Sequence, residues 1–241
     1  IMIPLYLGIE TDKISKSVKT DTDKVIVFNH RTKEYRGWKH FIKIIQKLRE
    51  QRQDFKVFCS MIDPAGQAIV KKSFDDISFF DYDGPSDRNE YIRKLENCRF
   101  GFHGGSRWAM SSQDGLCKGV PYVFEIGNET GELFGHKMET GFKTTDEAID
   151  LFNRMLDDND WRNKQSQLAL EHCSSVHTWK NRVVPFNNMI SDAINKQLSD
   201  VIKSGEKKND IVEFIKKQKI VDTKTISDYL GWGKQIGFRR Y

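Results

Sequence analysis

From Val25 to about Ile194, short apolar runs alternate with stretches whose apolar residues recur at helical spacing. Val25-Ile-Val-Phe reads as a strand buried on both faces, because such a strand needs a continuous apolar run rather than an alternating one. Phe41, Ile44, Ile45 and Leu48 then fall on one face of a helix. Phe55-Lys-Val-Phe-Cys predicts a second strand, Ile77-Ser-Phe-Phe a third and Arg99-Phe-Gly-Phe-His a fourth, with a helix over Asn89–Cys98 between the last two. Met110 to Lys118 predicts a short helix ended by Gly119, followed by the strand Val120-Pro-Tyr-Val-Phe. The alternation predicts an α/β fold with a doubly wound, Rossmann-like parallel sheet, whose ligands sit beyond the carboxyl ends of the strands.

Charge divides the chain. Its 39 Lys and Arg exceed its 34 Asp and Glu by five, and that whole excess lies in residues 203–241, where ten cations face five carboxylates. Residues 1–202 are therefore expected as one neutral domain and 203–241 as a separate basic module, hinged at the polar stretch Lys203 to Asp210. No apolar run approaches the roughly 20 residues of a membrane span, and the apolar start lacks a basic leader region, so a cytoplasmic protein is expected. Cys59, Cys98, Cys117 and Cys173 fit neither zinc spacing nor a disulfide framework and read as buried thiols.

Two loops at predicted strand ends carry candidate chemistry. Asn29 to Trp38 places Arg31 and Arg36 between a strand and a helix, where oriented amides favour anions. A phosphate site and a merely solvated charged loop of Arg31, Lys33, Arg36 and Lys39 both fit. The segment His103 to Pro121 opens on paired glycines that permit close backbone approach to a ligand. Asp114 in that segment suits either ribose hydroxyls or a helix cap. His30 and His103 stand at strand ends, as donor or acceptor contacts or as polar loop residues. His172, Cys173 and His177 lack a fourth ligand, and no metal site is expected.

In order along the chain, these pieces resemble family-four glycosyltransferases of the B fold. Ile3-Pro-Leu-Tyr-Leu-Gly-Ile-Glu resembles their interdomain "IPNGID", with two extra residues. Arg31 and Arg36 match the Arg and Lys of "GRL…KG", and Asp114-Gly-Leu-Cys-Lys-Gly-Val-Pro resembles "EAMACGVP". The resemblance implies the carboxyl-terminal, donor-binding half of a two-domain enzyme. It assigns the diphosphate of a nucleotide sugar, such as a UDP-sugar, to Arg31 and Arg36, which act in catalysis. Gly105 and Ser106 would contact the donor, Trp108, Ala109 and Met110 would present backbone amides to its diphosphate, and Asp114 would hold its ribose. Paired cations and amides stabilise a departing diphosphate without a metal or other cofactor. Ser106 stands where the family has a Glu that touches the sugar. The acceptor-binding half is expected on another domain or subunit.

Beyond the hinge, Ile211, Val212, Phe214 and Ile215 form one helical face, and a second helix opens at Asp222 or Thr223 and closes at Gly231. Together they predict a helix-turn-helix-like module. Lys224, Lys234, Arg239 and Arg240 are its candidate DNA contacts, with a solvated helical hairpin as the alternative. A donor domain with such a tail resembles phage enzymes that glycosylate hydroxymethylated pyrimidines in DNA. A bacterial surface-glycan transferase and a non-catalytic nucleotide- or nucleic-acid-binding module are the competing expectations.

Overall fold

A computed structural model describes residues 11–82, 87–104, 110–127 and 138–178, with 181, 187, 188, 191 and 192 beyond them. The chain divides into two compact units, Ile1–Val183 and Val184–Tyr241. The first carries every strand described here. The expected basic module at 203–241, with Lys224, Lys234, Arg239 and Arg240, lies outside the described residues.

Among the described residues, six strands form one sheet: β1 Val25–Phe28, β2 Lys56–Cys59, β3 Phe80–Asp81, β4 Phe100–His103, β5 Tyr122–Glu125 and β6 Gly141–Phe142. All pairs are parallel and the order is β3-β2-β1-β4-β5-β6. The connecting helices are α1 Trp38–Gln51, α2 Pro64–Ser73, α3 Arg88–Glu96, α4 Met110–Leu116, α5 Thr145–Asp157 and α6 Asn159–His172. The expected doubly wound sheet is present.

Side chains of a strand alternate between faces, and the two cores follow that alternation. Ile26, Phe28, Phe100, Phe102 and Val123 pack with Phe41, Ile44, Ile45 and Leu48 of α1 and with Phe152 and Met155 of α5. Val27, Tyr122 and Phe124 pack on the other face with Leu95 of α3, Leu116 of α4 and Ala169 of α6. Rings cross the first core from Phe28 through Phe41 to Phe102, at centroid separations of 5.0 and 5.2 Å. Gly101 has no side chain because the Tyr122 ring fills that space.

Helix starts follow the local chemistry. Asp63 accepts from the Gly66 amide ahead of Pro64, and Asp87 accepts from the amides of Asn89 and Glu90. Thr144 and Glu147 close a reciprocal capping box on α5. At the other end of the sheet, Arg162 is buried and donates to the carbonyls of Arg99 and Lys19, while Arg99 donates to that of Met155. Burial and the neighbouring Arg99 lower the Arg162 guanidinium to about 10.

Several boundaries differ from expectation. The third strand is Phe80–Asp81, not Ile77 to Phe80, because the Phe80 amide turns back to the Ile77 carbonyl. The fourth starts at Phe100 and the fifth at Tyr122. The helix over Asn89–Cys98 runs from Arg88 to Glu96. The helix of Met110 ends at Leu116, with Gly119 in the left-handed region at φ 74°. All four cysteines are buried free thiols, as their spacing indicated.

Candidate functional site

The sheet order reverses between β1 and β4, the switch point beyond whose carboxyl ends open α/β sheets place their ligands. Four pieces of chain meet at that place.

The first piece is the loop after β1. Asn29 and His30 follow the strand directly and are buried. The Asn29 amide donates to the Tyr91 hydroxyl (3.0 Å) and to the Ser111 carbonyl (2.7 Å), tying β1 to α3 and α4. The Thr32 hydroxyl donates to Asp63 at 2.8 Å and the Lys33 ammonium pairs with the same carboxylate at 2.6 Å. Those partners and the Gly66 amide hold Asp63 down to about 2. Lys39 pairs with Glu34 at 3.1 Å. Lys33 is thus tied to the cap of α2, and Lys39 to a carboxylate of the loop itself. Arg31 is exposed, and half-buried Arg36 lies over the Tyr35 ring at 5.4 Å.

Gly37 ends that loop and starts α1 at φ 75°. A Cβ on it would stand 2.7 Å from the backbone of Gly104, the residue after β4. The Arg36 loop and the Gly104 backbone are therefore in direct contact across the switch point. Of the glycine-rich loop itself, Gly105, Ser106, Trp108 and Ala109 lie outside the described residues, while Met110 is the exposed first residue of α4.

The second piece is a buried histidine pair. His103 Nδ1 lies 3.0 Å from His30 Nε2 and 2.8 Å from the Ser112 hydroxyl, and His30 Nδ1 lies 2.8 Å from the Ser111 hydroxyl. Burial, the facing His103 and the nearby Arg36 push the His30 imidazole well below its ordinary 6.5. It is therefore neutral near pH 7. His172 and His177 form a separate buried ring pair at 4.9 Å, with buried Cys173 between them in sequence.

The third piece is α4. Asp114 is its fifth residue, too far inside to cap it, and both of its oxygens are held by Arg88, at 2.6 and 2.9 Å. A carboxylate offers about four acceptor positions, so a bidentate arginine leaves room for a hydroxyl donor. The fourth piece is Glu125 at the carboxyl end of β5. Its Oε1 lies 3.5 Å from His40 Nδ1 in α1, and its Oε2 lies 3.3 Å from where a Cβ on Gly104 would stand. His40 Nε2 meets the Thr145 hydroxyl at 3.3 Å.

Arg88, Glu125 and His40 were not singled out from the sequence. A signal existed for Glu125, since it follows the last apolar residue of a predicted strand at the end where ligands bind.

No protein-family profile matches the chain, and no curated protein sequence matches it significantly. Solved structures do match. Staphylococcus aureus TarM, crystallised with UDP among other ligands, superposes with a TM-score of 0.61 at 9% identity, over 77% of this chain and 37% of that one. The fold is that of the carboxyl-terminal half of a B-fold glycosyltransferase. The C-terminal domain of the Francisella tularensis group 1 glycosyl transferase LpcC matches over its full length and 71% of this chain (TM-score 0.57, 13% identity). Anabaena HepE in complex with UDP-glucose matches over 80% of this chain and 57% of its own (TM-score 0.61, 12% identity). The chain thus spans little more than a third of TarM and just over half of HepE. Among the described residues, no helix is long and apolar enough to cross a membrane.

Proposed function

We propose that this domain binds a nucleoside diphosphate sugar, with uridine as the base, at the carboxyl ends of β1 and β4, and serves as the donor half in glycosyl transfer. The observation that carries this reading is the contact of the Arg36 loop with Gly104 at the reversal of strand order. UDP in the TarM structure and UDP-glucose in the HepE structure support it. As the sugar departs, negative charge grows on the diphosphate. Arg31 and Arg36 would stabilise it without a metal, amides of Trp108, Ala109 and Met110 would add donors, and Gly105 and Ser106 would contact the rest of the donor. Asp114 would accept from the ribose while Arg88 holds it in place.

In this reading a second domain or subunit presents the acceptor. We further propose that the acceptor is a hydroxymethylated pyrimidine in phage DNA, and that transfer occurs in the cytoplasm of an infected host. What supports a nucleic-acid acceptor is the confinement of the positive excess to 203–241.

The test is Arg36→Ala titrated with UDP and with uridine. Loss of one charge-assisted bond predicts UDP binding weaker by about 1.5 to 3 kcal/mol, with uridine binding unchanged. Equal losses for both ligands would place Arg36 outside the diphosphate site.

A further inference from the structure

We propose that Glu125, oriented by His40, is the residue that reads the sugar of the donor, its carboxylate accepting hydrogen bonds from glycosyl hydroxyls. This rests on the nucleotide-sugar reading above and adds a residue to it. Glu125 is the last residue of β5, beside β4 in the sheet, so it opens onto the same edge as Arg31 and Arg36. Only one glycine separates it from the cationic loop. Gly104 touches Gly37 on one side, and on the other its missing Cβ would stand 3.3 Å from Glu125 Oε2. A side chain on Gly104 would overlap the Phe102 ring, 2.6 Å away, and one on Gly37 would overlap the Gly104 backbone, so the two glycines let the cationic loop and the Glu125 carboxylate lie this close to one another.

The carboxylate is held rather than loose. His40 sits in the first turn of α1, three residues after Gly37, with Nδ1 on Glu125 and Nε2 on the Thr145 hydroxyl. Its ring meets those of Phe142 and Phe102 edge to face, at 5.6 and 6.4 Å. Both polar ends of the imidazole are thereby engaged, and its ring packs against the stacked pair Phe102 and Phe142. About a third of the Glu125 side chain stays open to solvent, enough for a ligand to reach it.

The chemistry selects the ligand group. A carboxylate beside an anion site repels a diphosphate and gains nothing from it. Hydroxyls carried past the diphosphate can donate to it, and such bonds to a charged acceptor are the strong ones. Glu125 should therefore discriminate between a nucleotide and its sugar conjugate. Arg31 and Arg36 would favour both alike.

Calorimetry on the full chain tests this with UDP, UDP-glucose and UDP-N-acetylglucosamine against wild type, Glu125→Gln, Glu125→Asp and His40→Phe. Glu125→Gln should leave UDP binding equal or tighter while weakening the preferred UDP-sugar about ten- to hundred-fold. Glu125→Asp keeps the charge but withdraws it by one methylene, and should show the same split more weakly. His40→Phe keeps the ring packing and should also weaken only the sugar conjugate. Equal loss of UDP and UDP-sugar in the Glu125 variants, or no change in either, would overturn the proposal while leaving the nucleotide site standing. Wild type that binds no UDP and no UDP-sugar would overturn both.

Discussion

Arg88 grips Asp114 with two parallel hydrogen bonds, Nη2 to Oδ1 at 2.6 Å and Nη1 to Oδ2 at 2.9 Å, joining the start of α3 to the middle of α4. The guanidinium side chain is 65% exposed, so solvent screens the pair and it adds little stability, about 1 kcal/mol or less. Its role is to fix the direction of the Asp114 carboxylate. Arg88→Ala is expected to leave the melting temperature nearly unchanged. Asp114→Ala should weaken nucleotide binding, and Asp114→Glu should retain most of it. Thermal melts beside binding titrations separate these outcomes, and an Asp114→Ala protein that binds normally would remove Asp114 from the site.

His30 gives the fold a pH dependence of known sign. Its folded pKa lies below the unfolded value of 6.5, because it is buried against His103, Ser111 and Ser112 with Arg36 nearby. Above about pH 6.5 both states are neutral at this residue and no stability is lost. Below it the unfolded chain takes up a proton that the folded one refuses, so stability falls as pH falls toward the folded pKa, by up to about 1.4 kcal/mol per pH unit. Denaturant titrations between pH 5 and 8 should show that slope, and His30→Gln should flatten it. An unchanged slope in the variant would assign the dependence to another group.

Gly37→Ala tests the contact between the two loops. Alanine at φ 75° costs about 1 to 2 kcal/mol by itself. Its methyl would also stand 2.7 Å from the Gly104 backbone, so one loop must give way. The variant should be destabilised by more than the backbone term and should bind UDP less tightly. Normal UDP affinity in a destabilised variant would show that the loop contact serves the fold alone.

Much of the sheet was readable because parallel strands covered on both faces are continuous apolar runs. Val25–Phe28 is such a run, and Phe41, Ile44, Ile45 and Leu48 all reach the core from one helix face. The misplaced third strand shows the limit: Ile77 to Phe80 is apolar because it turns into the core, not because it is extended. Gly141–Phe142 is too short to leave a pattern, and α2 buries only Gly66 and Val70, too few for a stripe. Helix α6 buries Arg162, Gln165 and Ser166, so its inward face reads as polar. At the site, single loops were legible and partnerships were not. Arg88 with Asp114, His40 with Glu125 and His30 with His103 join residues far apart in the chain, and local spacing says nothing about them.

The basic tail carries its own prediction. If 203–241 binds duplex DNA, affinity must fall steeply with salt as cations displace counterions. Replacing Arg239 and Arg240 together should lower the slope of log K against log salt by up to about two, since each phosphate contact contributes roughly 0.9. Fluorescence anisotropy of labelled duplex at several salt concentrations reads this, comparing the full chain with one truncated after Lys203. Equal affinity of the two chains would remove DNA as the acceptor and leave the donor site untouched.

The proposed diphosphate site consists of Arg31, Arg36 and the Gly37–Gly104 contact. Calorimetry of the full chain with UDP, once in EDTA and once in excess magnesium, tests it most directly. The proposed site predicts saturable binding of similar affinity in both conditions, lost in an Arg31→Ala, Arg36→Ala double variant that still melts like wild type. Absence of binding in both conditions, or binding that survives removal of both arginines, would contradict it.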